Sequence, residues 1–189
     1  MIQDYLTIKK SQWTKLTQKD SRFFGRIYPV SSKKQVYEIL KKIENEYRKA
    51  THIVFAYRII DGDDILEYST DAGEPTHSAG PPVLKVLKGK NLVNVCAYVV
   101  RFYGGTNLGI GGLIKAYSKS THAAIVEAEI VKKINYIIVE IPTSYKQIGK
   151  VLYKVKKNMG SVEKIDYEKG VKIIAKIPMA RLREFEVNK

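Results

Sequence analysis

The run Leu92–Val100, LVNVCAYVV, holds one polar residue in nine. It is far shorter than the roughly 20 residues that span a bilayer. A run this apolar reads as a central strand, because a strand with one wet face alternates instead. The remaining pattern supplies its neighbours. Residues 2–29 read as short strands, with Leu6 and Ile8, then Phe23, Gly25 and Ile27, at period two. Ser32 can cap a helix reaching Tyr47, since Val36, Ile39, Leu40, Ile43 and Tyr47 share one face. Ile53, Phe55, Tyr57 and Ile59 alternate as a strand, and Ile65–Ser69 returns beside it after the turn Asp61-Gly62-Asp63-Asp64.

Thr70–Ser78 is polar and turn-rich. Pro81 and Pro82 suit the first turn of a short helix, which Ser78 can cap. After the central strand comes RFYGGTNLGIGGLIKAY, then a helix expected from about Leu113 to Val126. The pattern then restarts. Tyr136–Ile141 is a strand, Ser144–Lys157 a helix, and Val162–Tyr167 and Val171–Ile177 are strands around Glu168-Lys169-Gly170. A short helix begins after Pro178, leaving a final strand very short or absent. This order resembles a ferredoxin-like split β-α-β unit. The expectation is α+β with two domains, 1–132 and 133–189.

The chain carries 33 Lys and Arg against 19 Asp and Glu, a net charge of +14. An excess of that size is one footprint of nucleic-acid binding. It also fits a solvated, Lys-rich surface of a heat-adapted protein. The single cysteine, Cys96, allows no internal disulfide, and the opening MIQDYLTIKK lacks a signal-peptide layout. A cytoplasmic location and no membrane partner are the defaults.

Two segments carry candidate chemistry. In Arg101-Phe102-Tyr103-Gly104-Gly105-Thr106-Asn107-Leu108-Gly109-Ile110-Gly111-Gly112, five of twelve residues are glycine. The segment leaves a strand and opens a helix, where unpaired amides and a partial positive charge meet anions. It is neither a P-loop nor a dinucleotide fingerprint. The other reading is that the glycines permit a tight turn and close helix–sheet packing. The second segment, Asp71-Ala72-Gly73-Glu74-Pro75-Thr76-His77-Ser78, gathers carboxylates, hydroxyls and an imidazole that suit acid–base work or an ordinary turn. His52, His77 and His122 lack zinc spacing, so no metal and no cofactor is expected.

These residues carry a resemblance. Asp71-Ala72-Gly73-Glu74-Pro75 through Ala79-Gly80 looks like a motif of the IMPACT/YigZ family. So do Arg101-Phe102-Tyr103-Gly104-Gly105, Leu108-Gly109-Ile110-Gly111-Gly112-Leu113 and Ala116-Tyr117. Ala50-Thr51-His52 and Phe24…Pro29-Val30 are similar to its N-terminal pattern. Thr76-His77-Ser78 stands where the family usually has Ser-Gly-Thr, Asn107 where it has lysine, and Lys115 where it has arginine. The resemblance implies an N-terminal left-handed β-α-β fold, like domain four of elongation factor G and a small-subunit ribosomal protein. It implies a C-terminal domain similar to that factor's domain five. It also implies kinship with eukaryotic regulators of translation that act through the amino-acid-starvation kinase pathway.

The expected function is RNA or ribosome binding in translation control, with no catalytic residue. Arg101 and Lys115 would neutralise phosphate, and Gly104, Gly105, Gly109, Gly111 and Gly112 would expose amides. Asn107 would donate a hydrogen bond, and Tyr103 has a ring able to stack on a base. Asp71, Glu74, Thr76 and His77 would organise the facing loop. Two alternatives stand beside this. One is an enzyme on an anionic small molecule using Asp71, Glu74 and His77, which requires the two loops to converge. The other is a module binding a protein partner in translation control. Oligomeric state is left open.

Overall fold

The computed structural model describes residues 2–168 and 170–185. The chain forms two compact units, Leu6–Lys132 and Met1–Tyr5 with Lys133–Lys189. The opening residues thus group with the C-terminal unit.

The larger unit is built on β2 (Thr14–Gln18), β3 (Ser21–Pro29), β4 (His52–Asp61), β5 (Asp64–Thr70) and β6 (Val95–Phe102). These pair antiparallel in the order β2-β3-β6-β4-β5. The apolar run becomes the middle strand, buried from Val95 to Arg101. Its alternate side chains feed two cores. Val95, Ala97 and Val99 meet α2 (Gly80–Gly89) and α3 (Gly109–Val126). Cys96, Tyr98 and Val100 meet Val36 and Ile43 of α1 (Lys33–Glu46) on the opposite face. Tyr98 is fully buried, and its hydroxyl donates to the Val36 carbonyl at 2.6 Å. Burial pushes its hydroxyl pKa far up, so it remains a donor.

Chirality follows from this layering. β3 and β4 are both antiparallel to β6, hence parallel to each other and joined through α1. β5 and β6 are likewise parallel and joined through α2. The two crossovers run in opposite senses along the sheet and in opposite strand directions. Helices on one face would give them the same hand. They lie on opposite faces, so one crossover is left-handed, against the usual preference.

Local signals explain most element ends. Ser32 Oγ accepts from the Gln35 N–H, and Gln35 Oε1 accepts from the Ser31 N–H, a reciprocal cap on α1. Two expectations need correcting. Helix α3 begins at Gly109, four residues before Leu113, so its first turn contains three glycines. Ser78 does not cap α2; its hydroxyl donates to the Pro75 carbonyl. Two strands not singled out as a pair, β1 (Asp4–Lys10) and β7 (Glu129–Ile134), bond to each other.

The smaller unit carries β8 (Tyr136–Thr143), α4 (Ile148–Lys157), β9 (Ser161–Asp166) and β10 (Val171–Pro178). The sheet order is β8-β10-β9, with β10 antiparallel to both neighbours. That is the order of a split β-α-β unit. Ile141, Val155, Ile173, Ala175 and Ile177 form its core. A 3-10 helix, Met179–Phe185, follows Pro178. The place for a final strand, 186–189, lies outside the described residues. Among the described residues no helix is long and apolar enough to cross a membrane.

Candidate functional site

Asp71 organises its own loop. Its Oδ1 accepts from the Ala79 and Gly80 N–H groups, both at 2.9 Å, and its Oδ2 from the His77 N–H at 2.8 Å. The two amides at the start of α2 are therefore capped from eight and nine residues upstream. Burial alone would raise the Asp71 pKa. The three N–H donors outweigh it and hold the carboxyl below its ordinary value. Gly80 is required, because a Cβ there would lie 2.6 Å from the Thr70 backbone. Thr76 and His77 are exposed.

Glu74 is the hub of a buried polar cluster. Arg101 donates from one Nη to both of its oxygens, at 2.6 and 2.8 Å. The two side chains are 2% and 6% exposed. The Tyr117 hydroxyl donates to Oε1 at 2.7 Å. Burial, then the adjoining Glu74 charge, drives its pKa strongly upward. His52 Nδ1 lies 2.8 Å from the Ala72 carbonyl, which can only accept, so Nδ1 holds a proton. Its Nε2 stands 3.9 Å from Glu74. The second Arg101 Nη reaches Ser21 Oγ at 3.4 Å, and the guanidinium lies over the Phe23 and Tyr103 rings. Arg101, expected to face phosphate, thus turns inward onto Glu74.

This cluster joins the loops. Glu74 comes from the acid-rich segment, and Arg101 precedes the glycine-rich one. The convergence that the enzyme reading requires is present, in a site closed by its own partners.

The glycine segment is different. Gly104 packs on the β2–β3 turn; a Cβ would stand 2.1 Å from the Asp20 carbonyl carbon. Its N–H donates to Ser21 Oγ at 3.3 Å. At Gly105, Gly109 and Gly111 a Cβ would meet nothing within 4 Å. Gly105 and Gly109 have φ of +90° and +66°, which glycine adopts without strain. Gly112 is tighter, 3.1 Å from Leu108 Cβ. The Asn107 Oδ1 accepts from the Gly109 N–H at 2.9 Å, which leaves its side-chain NH2 as the donor. Helix geometry leaves the next two amides, of Ile110 and Gly111, without intrahelical acceptors, while the Gly112 N–H is in register for the Leu108 carbonyl. Tyr103 is 50% exposed, with its hydroxyl on the Gly105 carbonyl at 2.8 Å. Lys115 is exposed one turn along α3. One acid stands nearby, Asp20, which accepts from Thr106.

Spacing alone gave no role to Ser21, His52 or Tyr117. Ser21 lies 80 residues from Arg101, and no local pattern links them. His52 and Tyr117 carried only the family signal. Among the described residues no group of three or more His, Cys, Asp or Glu is placed to hold a metal.

The Impact N-terminal domain matches residues 19–125, the region that builds this site. IMPACT family member YvyE of Bacillus subtilis is 32% identical over 171 residues, covering 90% of this chain and 78% of its own. Human Protein IMPACT is 38% identical over 98 residues, which is 50% of this chain and 30% of that protein. A crystal structure described as that of a hypothetical protein is similar over 98% of this chain and 90% of its own, with a TM-score of 0.77 and 26% identity. With more than half of its length matched by the domain and nine-tenths by a 32% identical relative, the chain belongs to the IMPACT family.

Proposed function

We propose that the protein is a cytoplasmic RNA-binding factor acting on translation at the ribosome, and that it grips phosphate at the open start of α3. The carrying observation is that Gly105, Gly109 and Gly111 leave no side chain in front of the segment, beside the half-exposed ring of Tyr103. Free amides at a helix start favour an anion, and an aromatic face stacks on a base. The net charge of +14 supplies the long-range attraction. Family membership supports the link to translation. In this reading Lys115 neutralises phosphate, while Arg101 acts indirectly by fixing Tyr103 and the strand end. Acid–base chemistry at Asp71 and Glu74 has less behind it, because both carboxylates already accept hydrogen bonds from the protein.

A filter-binding titration of structured RNA at rising salt tests the reading. Affinity should fall steeply with salt, and Lys115→Ala should lower the slope by about one counterion. Absence of binding at low salt, or binding that ignores salt, would sink it.

A further inference from the structure

A groove of about 660 Å³ runs between α2 and α3. Pro81, Pro82, Val86 and Ile114 give it an apolar surface, and Lys85, Lys90 and His122 stand along it. Its α3 wall continues a line. Ile110, Ile114, Ser118 and His122 are four residues apart, so they share a face. Ile110 is 59% exposed and Ile114 38%, so the line presents apolar side chains to solvent. From Ile110 to His122 the line extends about 18 Å at 1.5 Å per residue, three turns of a docked helix.

The charge of this groove is one-sided. Neither α2 nor α3 contains Asp or Glu. The acid reaching across to α2, Glu67, is already held by Arg58 and Lys88. Lys85 and Lys90 remain exposed without an ion-pair partner among the described residues. An apolar floor with a cationic rim suits one kind of occupant. We infer that the α2–α3 groove binds an acidic amphipathic helix of a protein partner, its apolar face on Val86 and Ile114 and its carboxylates on Lys85 and Lys90. Helix-in-groove recognition works through anchors at this spacing. A second copy of this chain is a poor match, since the net charge of +14 repels it. RNA would satisfy the lysines but has no use for the isoleucine line.

The test is a display selection of random peptides of about 14 residues, long enough for the groove, on the full-length protein. Expected are peptides combining Asp or Glu with Leu, Ile or Phe at three- and four-residue spacing. In fluorescence anisotropy, the Lys85→Glu/Lys90→Glu double variant should bind the selected peptides about tenfold more weakly. Ile114→Glu, at a partly exposed position, should abolish binding while thermal unfolding stays unchanged. Five results would overturn the inference, four of them in the peptide assays. Those four are failure to enrich any peptide, enrichment without the acid–apolar pattern, binding indifferent to the lysine reversals, and displacement of the peptide by an RNA oligomer. Concentration-dependent self-association that blocks the peptide would instead assign the groove to a second copy, and would also overturn it. No RNA enters the selection, so a failure of the RNA reading leaves these outcomes distinct.

Discussion

The acid-rich segment Asp71–Gly80 and the glycine-rich segment Gly104–Gly112 meet at the end of β6, and they use their residues in opposite ways. In the first, every carboxylate oxygen has a partner inside the protein: Asp71 holds three amides, and Glu74 holds Arg101 and Tyr117. In the second, three glycines face open space, and the Tyr103 ring just before it is half exposed. The segment richer in reactive groups is therefore the scaffold. In the proposed reading, the segment poorer in them is the binding surface. Reactive side chains mark a site only where their hydrogen-bonding capacity is left over, and the carboxylates of Asp71 and Glu74 have theirs taken up within the protein.

Four substitutions probe that contrast. Glu74→Ala should have the largest effect, a loss of about 3–5 kcal/mol in chemical denaturation, because Arg101 would be left as an uncompensated buried charge. A loss below about 1 kcal/mol, the range of surface pairs, would break the assignment of Glu74 as scaffold. Gly104→Ala comes next, at about 3 kcal/mol, the upper end for overpacking, since the Asp20 backbone cannot give way easily.

Asp71→Asn should cost about 1–2 kcal/mol through weakened hydrogen bonds at the start of α2. It should also alter the response to acid. The Asp71 carboxyl is held below its ordinary value in the folded protein. Its stabilisation is therefore complete above about pH 4, where the unfolded chain is ionised too. It drains away as the pH falls through the lower folded-state value. Wild type should lose stability over that window, and the variant should lose less. Equal acid slopes in thermal melts would contradict the capping role.

Gly111→Ala should show the smallest change in stability, a gain of about 0.5–1 kcal/mol, because alanine suits a helix turn better than glycine. RNA affinity should nonetheless fall, since the new methyl group stands before the amides. A variant that gains stability and keeps full RNA affinity would remove this turn from the binding surface.

Much of the architecture is legible in the sequence because it rests on short-range periodicity. The central strand, the Ser32 cap and the Asp61–Asp64 hairpin each announce themselves within a dozen residues. The departures come from long-range partners. Glu129–Ile134 is exposed at nearly every position, so no apolar alternation marks it; its strand character comes from pairing with β1. The start of α3 is hidden by glycines with poor helix propensity. The inward turn of Arg101 depends on Glu74, 27 positions away, and on Ser21, 80 positions away. A motif shows that residues belong together, but not which of them faces out.

The grouping of residues 1–5 with the C-terminal unit has a consequence for how the protein comes apart. The backbone passes between the two units twice, at 5–6 and again at 132–133, so the molecule is double-tethered. A protease nick near residue 132 would sever one tether and leave the released fragment held by noncovalent bonds, among them those from Asn135 to the Ile2 and Gln3 carbonyls. Gene fragments divided at that point would separate a unit from its own first residues. The smaller unit is a non-contiguous module, and an intact one needs both parts of the chain.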